Sequence, residues 1–241
     1  MKITVLGSSH GLPEPNRSCT CFMIEVKGSV YFVDMGKDVM TDLATRRISP
    51  DNVKGVFVTH MHEDHTSGLV HFTGLLSWYY KKSDPLICLP TDTDEFASIL
   101  RAWININLDP ARMLKYKRVC EGIVFEDENI KVTAYPTKHC KDSYAYLLEC
   151  EGKRVLFSGD LSRTPTDDFP YAVLESPLDL AFLEVAHFSP EGYLTIFENY
   201  DTVKEVCFNH YSNRYMEHIY KVKPIMKMPV SLAYDGMEFT F

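Results

Sequence analysis

Four side chains able to bind a cation, His60, His62, Asp64 and His65, are packed into six residues directly behind the apolar run Val53 to Thr59. All four are of the type zinc prefers. A strand that ends this way must open on a site rather than run on through a core, and this constrains the fold more than any other feature. His60 and His62, two apart on an extended strand end, point to the same side. A turn into the helical pattern of Ser67 to Tyr80 redirects Asp64 and His65, so two adjacent ions could be served. Incidental histidines in a polar turn are improbable, because the whole chain has only nine.

Three further candidates stand at predicted strand ends: His139 after Lys131 to Pro136, Asp160 after Val155 to Phe157, and His210 after Val206 to Phe208. Any one alone would be an ordinary loop residue. Together with the first motif they complete a nitrogen and oxygen ligand set for two ions. Around them, strand-like runs cover Ile3 to Leu6, Cys19 to Val26, Val30 to Asp34, Leu86 to Leu89, Ile130 to Ala134, Tyr144 to Cys150, Arg154 to Phe157, Leu178 to Val185 and Val203 to Phe208. Further strands fall near Val230 and Glu238. Helices are expected at Thr93 to Asn105, with Thr93 as N-cap, at Leu194 to Asn199 and at Asn213 to Tyr220. Two β-rich halves that each carry helices pack best as two sheets with helices outside.

The chain has 241 residues, within single-domain size, so one domain over residues 1–241 is expected. A net charge of -8 argues against a general phosphate-backbone binder. Lys81, Lys82, Lys115, Lys117 and Arg118 could mark a phosphate-facing strip, although charged loop residues are usually just solvated. Seven scattered cysteines suit reduced thiols in the cytoplasm, with Cys19 and Cys21 read as packing residues on a strand. The amino terminus does not read as a signal peptide, and no apolar stretch approaches the ~20 residues of a membrane helix. A soluble, cytoplasmic protein without a membrane partner is expected.

The order of Val33-Asp34-Met35-Gly36, the His60 to His65 motif, His139, Ser158-Gly159-Asp160 and His210 resembles the metallo-β-lactamase superfamily over nearly the whole chain. The opening Gly11 to Ser18, His139 with Ser143-Tyr144, and His210-Tyr211-Ser212-Asn213-Arg214-Tyr215 are most similar to its ribonuclease Z and phosphodiesterase branch. That resemblance implies an α/β (α+β) fold, the four-layer αββα sandwich. It implies two divalent metal ions, zinc first with manganese or iron as alternatives. One would be held by His60, His62 and His139, the other by Asp64, His65 and His210, with Asp160 and a hydroxide bridging them. Asp34 would steady the metal loop from behind the ligands.

By the same resemblance His187 would protonate the leaving oxygen and Glu184 would hold its ring, so that both join Asp64 as catalytic residues. His10 and Ser212 are candidate substrate contacts. The implied activity is a phosphodiesterase acting on a small nucleotide-like or nucleic-acid-end phosphodiester, and a homodimer is compatible with it. Transfer RNA is not an expected partner, because residues 140–159 read as one hairpin with no room for a gripping arm. A thioester or lactone hydrolase is the alternative on the same fold. A metal-stabilised sensor or interaction protein without turnover is the alternative of another class. Trp78, Tyr79 and Tyr80 are expected in the core rather than on a pocket wall.

Overall fold

Apolar residues alternate between two faces along nearly every strand, and the faces lead to different cores. In the computed structural model, which describes residues 1–12, 14–80, 82–104 and 114–241, the chain order begins with β1 (Lys2–Gly7), β2 (Cys21–Val26), β3 (Ser29–Met35), α1 (Val39–Arg46) and β4 (Val53–Phe57). It continues through α2 (Glu63–Thr66), α3 (Leu69–Trp78), β5 (Leu86–Leu89), α4 (Thr93–Ile104), β6 (Lys115–Arg118), β7 (Gly122–Glu126) and β8 (Lys131–Thr137). The last part holds β9 (Ser143–Cys150), β10 (Lys153–Phe157), β11 (Leu180–Val185), α5 (Glu191–Ile196), β12 (Val206–Tyr211), α6 (Met216–Val222), β13 (Val230–Leu232) and β14 (Glu238–Thr240).

Among the described residues two seven-stranded mixed sheets result, ordered β14-β1-β2-β3-β4-β5-β6 and β13-β12-β11-β10-β9-β8-β7. On β3, Tyr31 and Val33 enter the cluster between the sheets while Val30 and Phe32 face the helices. On β11, Leu180 and Phe182 face inward while Ala181 and Leu183 meet the outer helices. Phe72, Leu76 and Leu100 cover the first sheet from outside, and Tyr193, Ile196 and Ile219 cover the second. Three cores between four layers define the αββα sandwich, and each fully buried large side chain contributes roughly 1.5–3 kcal/mol to it.

Several local expectations shift for identifiable reasons. The α4 N-cap is Asp92, whose carboxylate accepts from the amides of Asp94 and Glu95, rather than Thr93. The expected end of that helix at Asn105 lies outside the described residues. The helix expected at Leu194 to Asn199 starts earlier, at Glu191, because Pro190 stands before it and no periodicity marks the start. Asn213–Tyr215 forms a 3-10 turn before α6, and β2 begins at Cys21 rather than Cys19. Trp78 and Tyr79 are 55% and 76% exposed, against the expectation of a core position, because α3 ends there and turns them outward. Tyr80 does pack against the outer core of the first sheet. Helix α1, capped by Asp38, and strand β6 were not expected from the sequence.

Among the described residues, no helix is long and apolar enough to cross a membrane. The turn Glu151-Gly152 closes β9 and β10 into a hairpin that fills the interval between His139 and Asp160.

Candidate metal centre

Strand β4 ends at Phe57, and the backbone beyond it carries His60 and His62 to the rim of the sandwich before α2 presents Asp64 and His65. His62 Nδ1 lies 2.9 Å from His60 Nε2 and 3.2 Å from His139 Nε2, so three ring nitrogens converge on one point. His139 follows β8 on the opposite sheet. Asp160 follows β10 and is 2% exposed, with its two oxygens facing different ways. Its Oδ2 is 3.6 Å from both His60 and His139, while its Oδ1 is 3.3 Å from His65 Nε2 and 3.4 Å from His210 Nε2. Asp64 Oδ2 stands 3.7 Å from His65 and His210. His60, His62, His139 and Asp160 form one cation-sized group and Asp64, His65 and His210 another, with Asp160 Oδ1 turned toward the second; Asp160 and His210 also group with His187, whose Nδ1 is 3.7 Å from Asp160 Oδ2.

Backbone irregularity delivers two of the key side chains. In the β11/β12 ladder Glu184 pairs with Asn209 and Val185 with Tyr211, leaving His210 as the extra residue of a bulge at φ 48°. In the β2/β3 ladder Cys21 pairs with Met35 and Phe22 with Val33, leaving Asp34 extra at φ 54°. Bulges re-aim side chains, and Asp and His tolerate the left-handed region better than most residues. Gly36 is required next to this point, since a Cβ there would lie 1.9 Å from the carbonyl oxygen of Asp64.

A ring of polar contacts behind the seven fixes ring orientations. Asp34 accepts from the Thr59 amide at 2.8 Å and sits 2.8 Å from His65 Nδ1. Thr20 Oγ1 lies 2.6 Å from His210 Nδ1, and Thr59 Oγ1 3.2 Å from His60 Nδ1. In each case the other ring nitrogen is left for the centre. Thr20 and Thr59 carry no sequence signal of this role, since a threonine near a strand end is unremarkable by itself.

Burial holds the ring of His60 well below the usual histidine range, reinforced by charge on His65. Burial likewise lowers His139. His65 goes the other way: burial opposes its charge, but the carboxylates of Asp160 and Asp34 raise it well above the usual range. Burial alone would raise Asp160, yet the charges of His210 and His65 pull it well below. The Asp160 carboxylate and the protons on the rings beside it thus stabilise one another, and a divalent cation bound among them would displace those protons.

The decisive observation for a cation is a pair of orphans. His65 Nε2 and Asp160 Oδ1 are buried with no hydrogen-bond partner, 3.3 Å apart and without the alignment of a hydrogen bond. Leaving such groups unsatisfied costs about 1–3 kcal/mol each, more for charged ones, so the residues fit a metal-binding role.

Residues 1–194 match the family described as Anti-Pycsar protein Apyc1. The chain belongs to that family. Ribonuclease Z of Methanothermobacter thermautotrophicus is 28% identical over 157 residues, covering 65% of this chain and 50% of the relative. The Bacillus subtilis ribonuclease Z is 28% identical over 152 residues, covering 62% and 49%. The chain spans about half the length of the curated relatives it matches. The short form of human tRNase Z superposes with a TM-score of 0.77 at 19% identity, covering 100% of this chain and 99% of the other. The metallo-beta-lactamase fold protein YhfI from Bacillus subtilis gives 0.79 at 15%, covering 99% of both. These two likenesses establish the metallo-β-lactamase fold expected from the motif order. Beyond the family match, residues 195–241 contribute His210 to the centre.

A cleft of about 580 Å³ opens over the centre, and His10, Leu12, Ala186, His187, Ser212 and Arg214 line it. His187 Nδ1 lies 3.0 Å from Glu184 Oε1, which leaves Nε2 free. Burial opposes the charge on His187, and the Glu184 contact outweighs it and raises its pKa. Glu184 is itself pinned, accepting from the amides of Leu161, Ala186 and His187. Ser212 reaches the cleft, although its hydroxyl also accepts from the Arg214 amide at 3.4 Å. Arg214 stands inside the motif His210 to Tyr215, where nothing in the sequence alone singles it out.

Among the described residues, the basic strip does not line this cleft. Lys115 pairs with Asp84, Lys117 donates to the Val124 carbonyl and Arg118 lies 3.6 Å from Asp142, all on the edge strand β6. Lys81 lies outside the described residues. Cys21 is buried on β2, while Cys19 is half-buried ahead of it, and burial raises both thiols.

Proposed function

We propose that the chain is a dinuclear metal-dependent phosphodiesterase acting on a small nucleotide-like or nucleic-acid-end phosphodiester. The observation that carries this reading is the Asp160 carboxylate, whose two oxygens face two separate histidine groups beneath an open cleft. His60, His62 and His139 would hold one ion, Asp64, His65 and His210 the other, and Asp160 both. Zinc suits this donor set best, with manganese or iron as alternatives. Bound there, two divalent ions would supply Lewis-acid charge to a phosphate and a water acidified toward neutral pH.

The chain's own residues do the rest. Asp34 holds His65 in one tautomer and orientation. Glu184 accepts from Nδ1 of His187 and stabilises the charged ring, whose second proton, on Nε2, is the one a departing alkoxide needs. His10 and Ser212, each one residue past the parallel bridge between Ser9 and Tyr211, line the cleft from neighbouring segments and contact the substrate. Because both sheets contribute, residues 1–241 act as one unit in this reading.

Purified protein reconstituted with zinc or manganese should bind about two ions and hydrolyse bis(4-nitrophenyl) phosphate in preference to a thioester or a lactone. Faster turnover of either of the latter would overturn the reading, and metal binding without any turnover would point to a sensor. His187→Ala should keep both ions and lose about 10²–10⁴-fold on an alkyl or nucleoside phosphodiester, whose leaving group needs a proton. On the nitrophenyl diester the loss should be far smaller. Loss of an ion would instead make His187 a ligand.

A further inference from the structure

We propose that Asp235, Arg17 and Glu14 are positioning residues, which lock the loop carrying His10 against the end of β12 and so set where the cleft receives substrate. The inference rests on the phosphodiesterase reading for its substrate and on separate contacts for its geometry. Asp235 lies near the far end of the chain, between β13 and β14. Its Oδ1 accepts from the Ser8 amide at 3.0 Å and the Ser8 hydroxyl at 2.9 Å, and its Oδ2 accepts from the Ser18 amide at 2.7 Å. One carboxylate therefore ties both feet of the loop, which the Ser9 amide closes on the Ser18 carbonyl at 2.8 Å.

Arg17 continues the network. Its Nη2 donates to the carbonyls of Ser8 at 2.7 Å and Tyr211 at 3.0 Å, and its guanidinium lies 3.6 Å over the Tyr211 ring. The Ser8 carbonyl also accepts from the amide of His210 at 3.1 Å. Arg17 Nη1 holds Glu14 at 2.7 Å, and the other oxygen of Glu14 is 3.3 Å from His10 Nε2. The chain of contacts thus runs from Asp235 to one cleft residue, His10, and to one centre residue, His210.

Two facts favour positioning over simple stability. The Leu12 side chain is 72% exposed and does not pin the loop, whereas Asp235 holds its feet and Glu14 the His10 ring. A half-buried charge network also returns little net stability for its desolvation, and in this proposal it serves to hold one loop geometry. Residue 235 lies outside the family match at 1–194, so the inference assigns the carboxyl-terminal residues control of a loop inside it.

Hydrogen exchange of the Ser8, Ser9 and Ser18 amides in the metal-loaded full chain tests the anchor. Hydrolysis of thymidine 5′-(4-nitrophenyl) phosphate tests the consequence. Asp235→Ala should speed exchange at Ser8 and Ser18 about tenfold or more, since each loses a hydrogen bond to a charged group. It should raise KM about tenfold with kcat nearly unchanged and two ions retained. Asp235→Asn has one acceptor oxygen, so it should restore protection at only one foot. Glu14→Ala should raise KM while exchange at the feet stays at the wild-type rate. Unchanged exchange in Asp235→Ala, or faster exchange with an unchanged KM, overturns the proposal. Loss of an ion in place of the KM effect also overturns it, making the network a support of the centre alone. Absence of wild-type turnover counts against the phosphodiesterase reading, and the exchange rates still decide whether Asp235 holds the loop.

Discussion

The first sheet delivers its share of the centre from one place: β4 and the turn after it supply His60, His62, Asp64 and His65 within six residues. The second sheet delivers His139, Asp160 and His210 from the ends of three strands, β8, β10 and β12, each brought to the rim by the pairing of the sheet. Local chemistry builds one half, topology the other. They share one device, since a bulged residue in the left-handed region appears in each, Asp34 behind the first half and His210 within the second. A cluster made by one turn can be supported by one residue behind it. A cluster made by three strand ends depends on a residue that all of them reach, and Asp160 fills that place.

The sharpest way to break this comparison is to remove Asp160. Asp160→Ala deletes the carboxylate that faces both groups, so metal content should fall from about two ions to at most one, and phosphodiester turnover should drop below detection. Elemental analysis after reconstitution checks the first and a discontinuous assay with excess metal the second. Retention of both ions would mean that the two halves hold their metals independently. Chelation of the wild type should abolish turnover, and added zinc or manganese should restore it.

A smaller effect is expected behind the first half. Asp34→Asn keeps one acceptor where Asp34 now serves both the Thr59 amide and the His65 ring. Metal affinity should weaken about 10–100-fold, as for other residues that orient metal ligands. Competition with a chelator of known affinity measures it. An unchanged affinity would show that the first motif orients itself without support from β3.

The same contrast explains what the sequence made legible. The first motif is readable because its candidate ligands are neighbours in sequence and the alternation of a strand says where they point. His139, Asp160 and His210 were readable only as strand ends, and their grouping followed from motif order. The bulges at Asp34 and His210 leave no pattern of hydrophobicity, so the reason these side chains turn inward appears only in the ladder registers. Helix α1 was missed because Val39 to Arg46 is short and carries only one apolar face. Asp235 could not have been found at all, because its partners at Ser8 and Ser18 are more than two hundred residues away. Trp78 and Tyr79 depart from the core expectation because apolar character alone does not say where a helix stops.

The smallest expected effects concern cations, and they separate the two sheets once more. Among the described residues Arg214 alone of the lysines and arginines lines the cleft, at the end of β12, and it is braced by the Ala186 carbonyl and the Tyr215 ring. Arg118 belongs to the edge of the first sheet, exposed and paired with Asp142 at 3.6 Å. A charged hydrogen bond to a substrate phosphate is worth about 1.5–3 kcal/mol, so Arg214→Ala should raise KM for a nucleoside phosphodiester by roughly tenfold or more. An exposed ion pair contributes about 0–1 kcal/mol, so Arg118→Ala should leave KM within about twofold and stability within ~0.5 kcal/mol. Steady-state kinetics on both variants, with thermal unfolding as the control for folding, reads the difference. Equal increases in KM would place the substrate across the edge strand as well as the cleft, and the basic strip of the first sheet would then belong to the binding surface. A silent Arg214→Ala would leave the substrate phosphate to the metal centre, His10 and Ser212.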